Sequence, residues 1–166
     1  IQTNRTELTK SIVSMEVSYK GLVNLHSFLL ALEKAPVPAT SPLRQKLKAA
    51  KFNWEFPTLM ASSWDAAVAS QSVSHMEGWR VEKVAQAFAA QKTFLELQAL
   101  TLTKIGILNQ ASPLVEEADS TGLPAKEAKV LRLQIDEFLI LFQACLGSAK
   151  ELEKSCGEAV KACQTP

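Results

Sequence analysis

From Leu131 to Cys163 the apolar residues fall at alternating steps of four and three: Leu131, Ile135, Phe138, Phe142, Cys145, Ala149, Leu152, Cys156, Ala159 and Cys163. This spacing keeps one stripe of a helix apolar without a break, and a stripe of such length is hidden only by other helices. The rest of the chain is therefore expected to lie against it. A first helix is read from Ile1 to about Glu33, with Ile1, Arg5, Leu8, Ile12, Met15, Tyr19, Leu22, His26, Leu29 and Glu33 as its stripe. Val17, Leu25, Phe28 and Leu32 widen the apolar face in its second half, and Pro36 and Pro38 end it. A second long helix is read from Met76 or Gly78 to about Asn109 on Val81, Val84, Phe88, Leu95, Leu102 and Ile105. Pro124 opens the third, which carries the organising stripe and, at about 1.5 Å per residue, reaches some 60 Å.

The connections contain shorter signals. Ser41-Pro42 has the form of an N-cap followed by proline at the first helical position, opening a short helix through Lys51 with Arg44, Lys46, Lys48 and Lys51 outward. Phe52 to Pro57 is aromatic, lacks helical periodicity and is read as an irregular segment that tucks rings between helices. Ser62-Ser63-Trp64-Asp65 has the form of a capping box, so a short helix from Trp64 to about Ser70 is expected, then a loop over Gln71 to His75. Ser112-Pro113 opens a short turn through Glu117. The expected fold is all-α: an elongated bundle of three long antiparallel helices, up-down-up, with short helices in the crossovers, forming a single domain over residues 1–166.

Charge and chemistry narrow the functions. With 18 basic and 17 acidic residues and a net charge of +1, spread through the chain, there is no electrostatic footprint for nucleic acid or an anionic membrane. The longest apolar run, Phe138 to Phe142, is far shorter than the roughly 20 residues a bilayer requires. Glu-x-x-His pairs of helical metal centres are missing, since Val23 precedes His26 by three and Ser72 precedes His75 by three. His26 on an apolar stripe reads as a core or interface histidine, and His75 as a loop residue without a role. The glycines form no phosphate-binding loop, and Glu116, Glu117 and Asp119 read as helix-end polarity. All three cysteines lie on the stripe, roughly 16 and 10 Å apart along a helix, beyond disulfide reach. They are expected as small core residues, with an interchain bridge near the C-terminus as the alternative. Asn4-Arg5-Thr6 fits the glycosylation sequon. No catalytic residue, metal ligand or cofactor is assigned, and the candidate pocket is the aromatic group Trp54, Trp64 and Trp79.

Ser62-Ser63-Trp64-Asp65-Ala66-Ala67-Val68-Ala69-Ser70, together with Asn4, Glu7-Leu8 and a helix beginning near Trp79 to Val84, resembles a group of uncharacterised bacterial proteins. Its members carry one N-terminal transmembrane helix followed by an extracytoplasmic helical domain in which a Ser/Thr-x-x-Trp-Asp/Gln-x-Ala-like segment precedes a long helix. The resemblance covers about residues 4 to 100; where the group carries a Leu-Pro-like step, this chain reads Ser74-His75-Met76-Glu77. It implies a natural N-terminal anchor ahead of Ile1 and the periplasmic side of a bacterial inner membrane, the alternative being a soluble cytoplasmic protein. The expected function is a non-enzymatic helical interaction or scaffold domain, partnered by a second copy or another protein. The alternative is a ligand-sensing helical domain with a tryptophan-rich pocket.

Overall fold

In a computed structural model the described residues are 1–34, 56–60, 62–110 and 125–164. They form α1 (Gln2–Lys34), α2 (Ser62–Ala69), a 3-10 turn (Ser72–His75), α3 (Gly78–Gln110) and α4 (Ala125–Gln164). The architecture is the all-α bundle expected, with the three long helices within a residue or two of their predicted limits. The expected helix over residues 42–51, the aromatic residues 52–55, the turn at 112–117 and the carboxylates Glu116, Glu117 and Asp119 lie outside the described residues.

α4 is the centre. Both α1 and α3 pack along it, whereas α1 and α3 scarcely approach one another. Ion pairs give the directions: Arg5 meets Glu153 while Glu33 meets Arg132, so α1 runs antiparallel to α4. Lys83 meets Glu158 while Lys104 meets Glu137, so α3 does too. α1 and α3 therefore point the same way, which corrects the expected up-down-up order: the first two long helices run parallel and both lie antiparallel to the third.

The stripe of α4 is buried from Ile135 through Ala159, with Phe138 and Phe142 fully enclosed. Phe142 is a hub, stacked on Phe138 at 5.6 Å and on Tyr19 of α1 at 6.4 Å, and met edge-on by Phe56 at 6.5 Å. Phe56 and the buried Pro57 thus do what the aromatic segment was expected to do, placing a ring from the crossover against the core. At the C-terminal end the stripe turns away: Ala162 is buried and Cys163 is exposed. A straight helix drifts about 20° per heptad against a seven-residue repeat, so a long stripe cannot keep its last member inward. Cys163 is thereby corrected from core to surface, while Cys145 and Cys156 are buried.

Between α2 and α3 the expected loop is a 3-10 turn. Gln71 adopts the left-handed conformation at φ 57°, which reverses the chain, and its carbonyl accepts from both Ser74 N–H (3.0 Å) and Ser74 Oγ (2.7 Å). α2 itself starts at Ser62, two residues before the expected Trp64, although the Ser62 side chain of the proposed capping box is outside the described residues.

Candidate functional site

α3 carries two apolar stripes. The first, Val84, Ala87, Gln91, Phe94, Thr101 and Ile105, is buried against the bundle. The second, Val81, Ala85, Phe88, Leu95, Ala99 and Leu102, follows the same four-three rhythm about 100° round the helix from the first, with Lys92 at its middle position; Phe88 still packs partly against the core, while Leu95, Ala99 and Leu102 are exposed. Of the residues expected to bind α3 to the core, Val84 and Ile105 do so, while Leu95 and Leu102 are 38% and 47% exposed. That part of the expected core is corrected to surface. Sequence spacing supported both stripes equally. The outer one held larger apolar residues, and the true core face was disguised by Gln91 and Thr101.

Along the outer stripe lies a groove of about 630 Å³. Ala85, Phe88, Ala89, Leu95 and Ala99 make it apolar, Lys92 and Glu96 place opposite charges along it, and Asp65 of α2 borders it. Lys83 and Lys104, at either end of α3, each hold a carboxylate of α4 at 2.9 and 2.6 Å. Lys92 and Glu96 have no ionic partner among the described residues. Three alanines on one face let another backbone approach closely, and Phe88 and Leu95 supply the apolar surface.

Gln91 also lines this groove and links it to the crossover. Its Oε1 accepts from Asn4 Nδ2 at 3.0 Å, and the same Nδ2 donates to the Met60 carbonyl at 2.9 Å. Asn4 Oδ1 in turn accepts from the Met60 N–H at 3.0 Å. One buried amide side chain thus satisfies both backbone groups of Met60, as a neighbouring strand would, and fastens the returning segment to α1 and α3. Gln91 Nε2 is buried without an acceptor among the described residues. The Asn4–Gln91 pair was missed from the sequence, where α1 was read on the frame Ile1, Arg5, Leu8. The buried frame is Asn4, Leu8, Ser11, Met15, Ser18, Leu22, Leu25, Leu29 and Leu32, an unbroken heptad whose polar members marked it.

The expected tryptophan pocket is placed only in part. Trp54 and the side chain of Trp64 lie outside the described residues. Trp79 is on the first turn of α3, 46% exposed, its indole N–H donating to Glu77 Oε2 at 2.7 Å and its ring 5.3 Å from the Arg80 guanidinium carbon. It does not line the groove.

Titratable groups sit elsewhere. His26 is half-buried between α1 and α4 with Nε2 2.8 Å from Asp136, and Asp136 also accepts from Arg132 at 2.7 Å. His75 is exposed in the 3-10 turn. The Cys145 thiol is pushed up to about 11 by burial, against a hydrogen bond with Thr101 that acts the other way. Burial likewise raises Cys156. Among the described residues no three His, Cys, Asp or Glu side chains gather as a metal site would require, and no helix is long and apolar enough to cross a membrane.

Compared with known protein families, characterised proteins and solved structures, the chain has no match.

Proposed function

We propose that this chain is a non-enzymatic helical interaction domain that docks a protein partner on the outer face of α3. The observation that carries the reading is the second apolar stripe. A helix needs one apolar face to join a bundle, and α3 has a further one beside it, with Leu95 and Leu102 exposed. Lys83 and Lys104 of α3 are paired with α4, whereas Lys92 and Glu96 on this stripe have no ionic partner among the described residues and lie ready for one. The setting implied by the resemblance, the extracytoplasmic side of a bacterial membrane behind an N-terminal anchor, belongs to the same proposal.

The test is photo-crosslinking in cells. A photoreactive residue at Leu95 or Ala99 is expected to give a protein adduct that the same residue at exposed Lys10 does not. Equal, background labelling at both positions would overturn the reading.

A second reading has an observation of its own. The groove volume of about 630 Å³ falls in the range of about 300–1,000 Å³ typical of small-molecule sites. A ligand-sensing domain would use this groove rather than the tryptophan group. It predicts saturable stabilisation by an apolar compound, about 2.7 kcal/mol at a hundredfold excess over the dissociation constant, abolished in Ala85→Trp.

A further inference from the structure

We infer that the partner on α3 is a second copy of this chain, paired antiparallel through the same stripe about a two-fold axis level with Phe94. The inference rests on the reading of α3 as a docking face and names its occupant.

Charge complementarity argues for it. Lys92 and Glu96 are one helical turn apart on the groove and have no ionic partner among the described residues. When two α3 helices run antiparallel with residue 94 at the centre, Lys92 of each copy is level with Glu96 of the other, and both ion pairs form at once. A parallel pairing in register sets Lys92 against Lys92 and Glu96 against Glu96, which repels. Asp65, bordering the groove, adds a second carboxylate to it.

The apolar positions agree with the same register. Within one residue's rise, about 1.5 Å, Ala85 of one copy is level with Leu102 of the other and Ala99 with Phe88, whose ring packs partly against its own core, while the two Leu95 side chains flank the axis about 3 Å apart along it. Large side chains thus meet small ones and the large-to-large contact lies at the axis, as a self-complementary two-fold contact requires. One helix pair buries less than the about 1,200 Å² of a standard interface. The dimer is therefore weak and concentration-dependent.

Sedimentation equilibrium of the full chain over a concentration series tests this, with reductant present so that exposed Cys163 forms no bridge. The wild type is expected to show a reversible monomer–dimer equilibrium. Lys92→Glu and Glu96→Lys should each weaken it at least tenfold, and the double variant carrying both should restore it, since the swapped charges pair again. Circular dichroism melts of the variants confirm that each is folded. A wild type that stays monomeric at every concentration, or a dimer indifferent to either single reversal, overturns the inference. If the chain is monomeric yet crosslinks a different protein through Leu95, the homodimer falls and the docking face stands. If it is monomeric and Leu95 labels only at background, both fall.

Discussion

At the scale of single residues, a buried amide ties the crossover to the bundle. Asn4 is 3% exposed and makes three hydrogen bonds, two of them to one backbone unit. Replacing it by Ala removes all three bonds, two of them to the largely exposed Met60, and at about 0.5–1.5 kcal/mol net each the combined loss is about 1–3 kcal/mol. Urea unfolding of Asn4→Ala should show a loss in that range; a loss under about 0.5 kcal/mol, the lower end of what one hydrogen bond contributes, would mean the crossover is held without it. Asn4→Asp keeps the acceptor for the Met60 N–H but turns two donated bonds into repulsive contacts. Its deficit should shrink as pH falls and the carboxyl gains a proton to donate. Cys145 supplies a pH dependence at the other end of the scale. Folded, the thiol keeps its proton up to about 11; unfolded, it releases it near 9.0. Below the unfolded value both states hold the proton and the thiol contributes nothing to pH dependence; above it the folded state keeps a proton that the unfolded state gives up, so stability falls as pH rises between about 9.0 and 11. Cys145→Ala should flatten that fall relative to wild type. At mildly alkaline pH, Cys163 alone should react rapidly with a thiol reagent before unfolding, because only it is exposed.

The elements show how far hydrophobic spacing carries a reading. α4 was fully legible because its stripe holds large side chains at successive positions and has no competing stripe. Phe138→Ala, at its enclosed centre, should cost about 3–5 kcal/mol, read by denaturant unfolding. α3 was legible as a helix but not in its facing. Val81, Phe88, Leu95 and Leu102 outweigh Gln91 and Thr101 in any hydrophobic count, yet the polar pair is buried and finds partners there: Thr101 Oγ1 donates to the Leu97 carbonyl at 2.7 Å and Gln91 Oε1 accepts from Asn4. Side-chain bonding across elements lies beyond what spacing encodes. The groove was illegible for the same reason, since it is the face left over once the other has been buried. Gly147 shows the opposite case, a helix position that gains from a change. It sits within α4, and a Cβ there would meet nothing within 4 Å. Gly147→Ala should raise stability by about 0.5–1 kcal/mol, by removing a glycine's backbone entropy from a helix interior. A melt unchanged or lowered would mean that face is covered.

For the whole molecule the question is register. Two heptad stripes slide past each other by seven residues with little loss of apolar contact, so the stripes of α1 and α4 cannot by themselves choose one alignment. The charges near their ends make that choice. At one end Arg5 meets Glu153 at 2.9 Å; at the other Arg132 bridges Glu33 at 3.2 Å and Asp136 at 2.7 Å, with His26 beside Asp136. A slide of one heptad would break every contact between the two helices in this set together. The second cluster matters more, because the Arg132 and Glu33 side chains are only 16% and 17% exposed and an unpaired charge there stays poorly solvated. Glu16 and Lys150, 41% and 52% exposed, form the contrasting surface pair, of the kind worth about 0–1 kcal/mol. Lys150→Met should therefore be nearly silent, while Arg132→Met should lose about 2–4 kcal/mol by stranding two carboxylates. Exchanging the partners, Glu33→Arg with Arg132→Glu, tests register itself. If the pair selects the alignment, the exchange regains part of the loss seen in Glu33→Arg alone; Asp136, then facing a carboxylate where the guanidinium had been, keeps the recovery incomplete. A double exchange no more stable than the single variants would show that the cluster tolerates the alignment rather than choosing it.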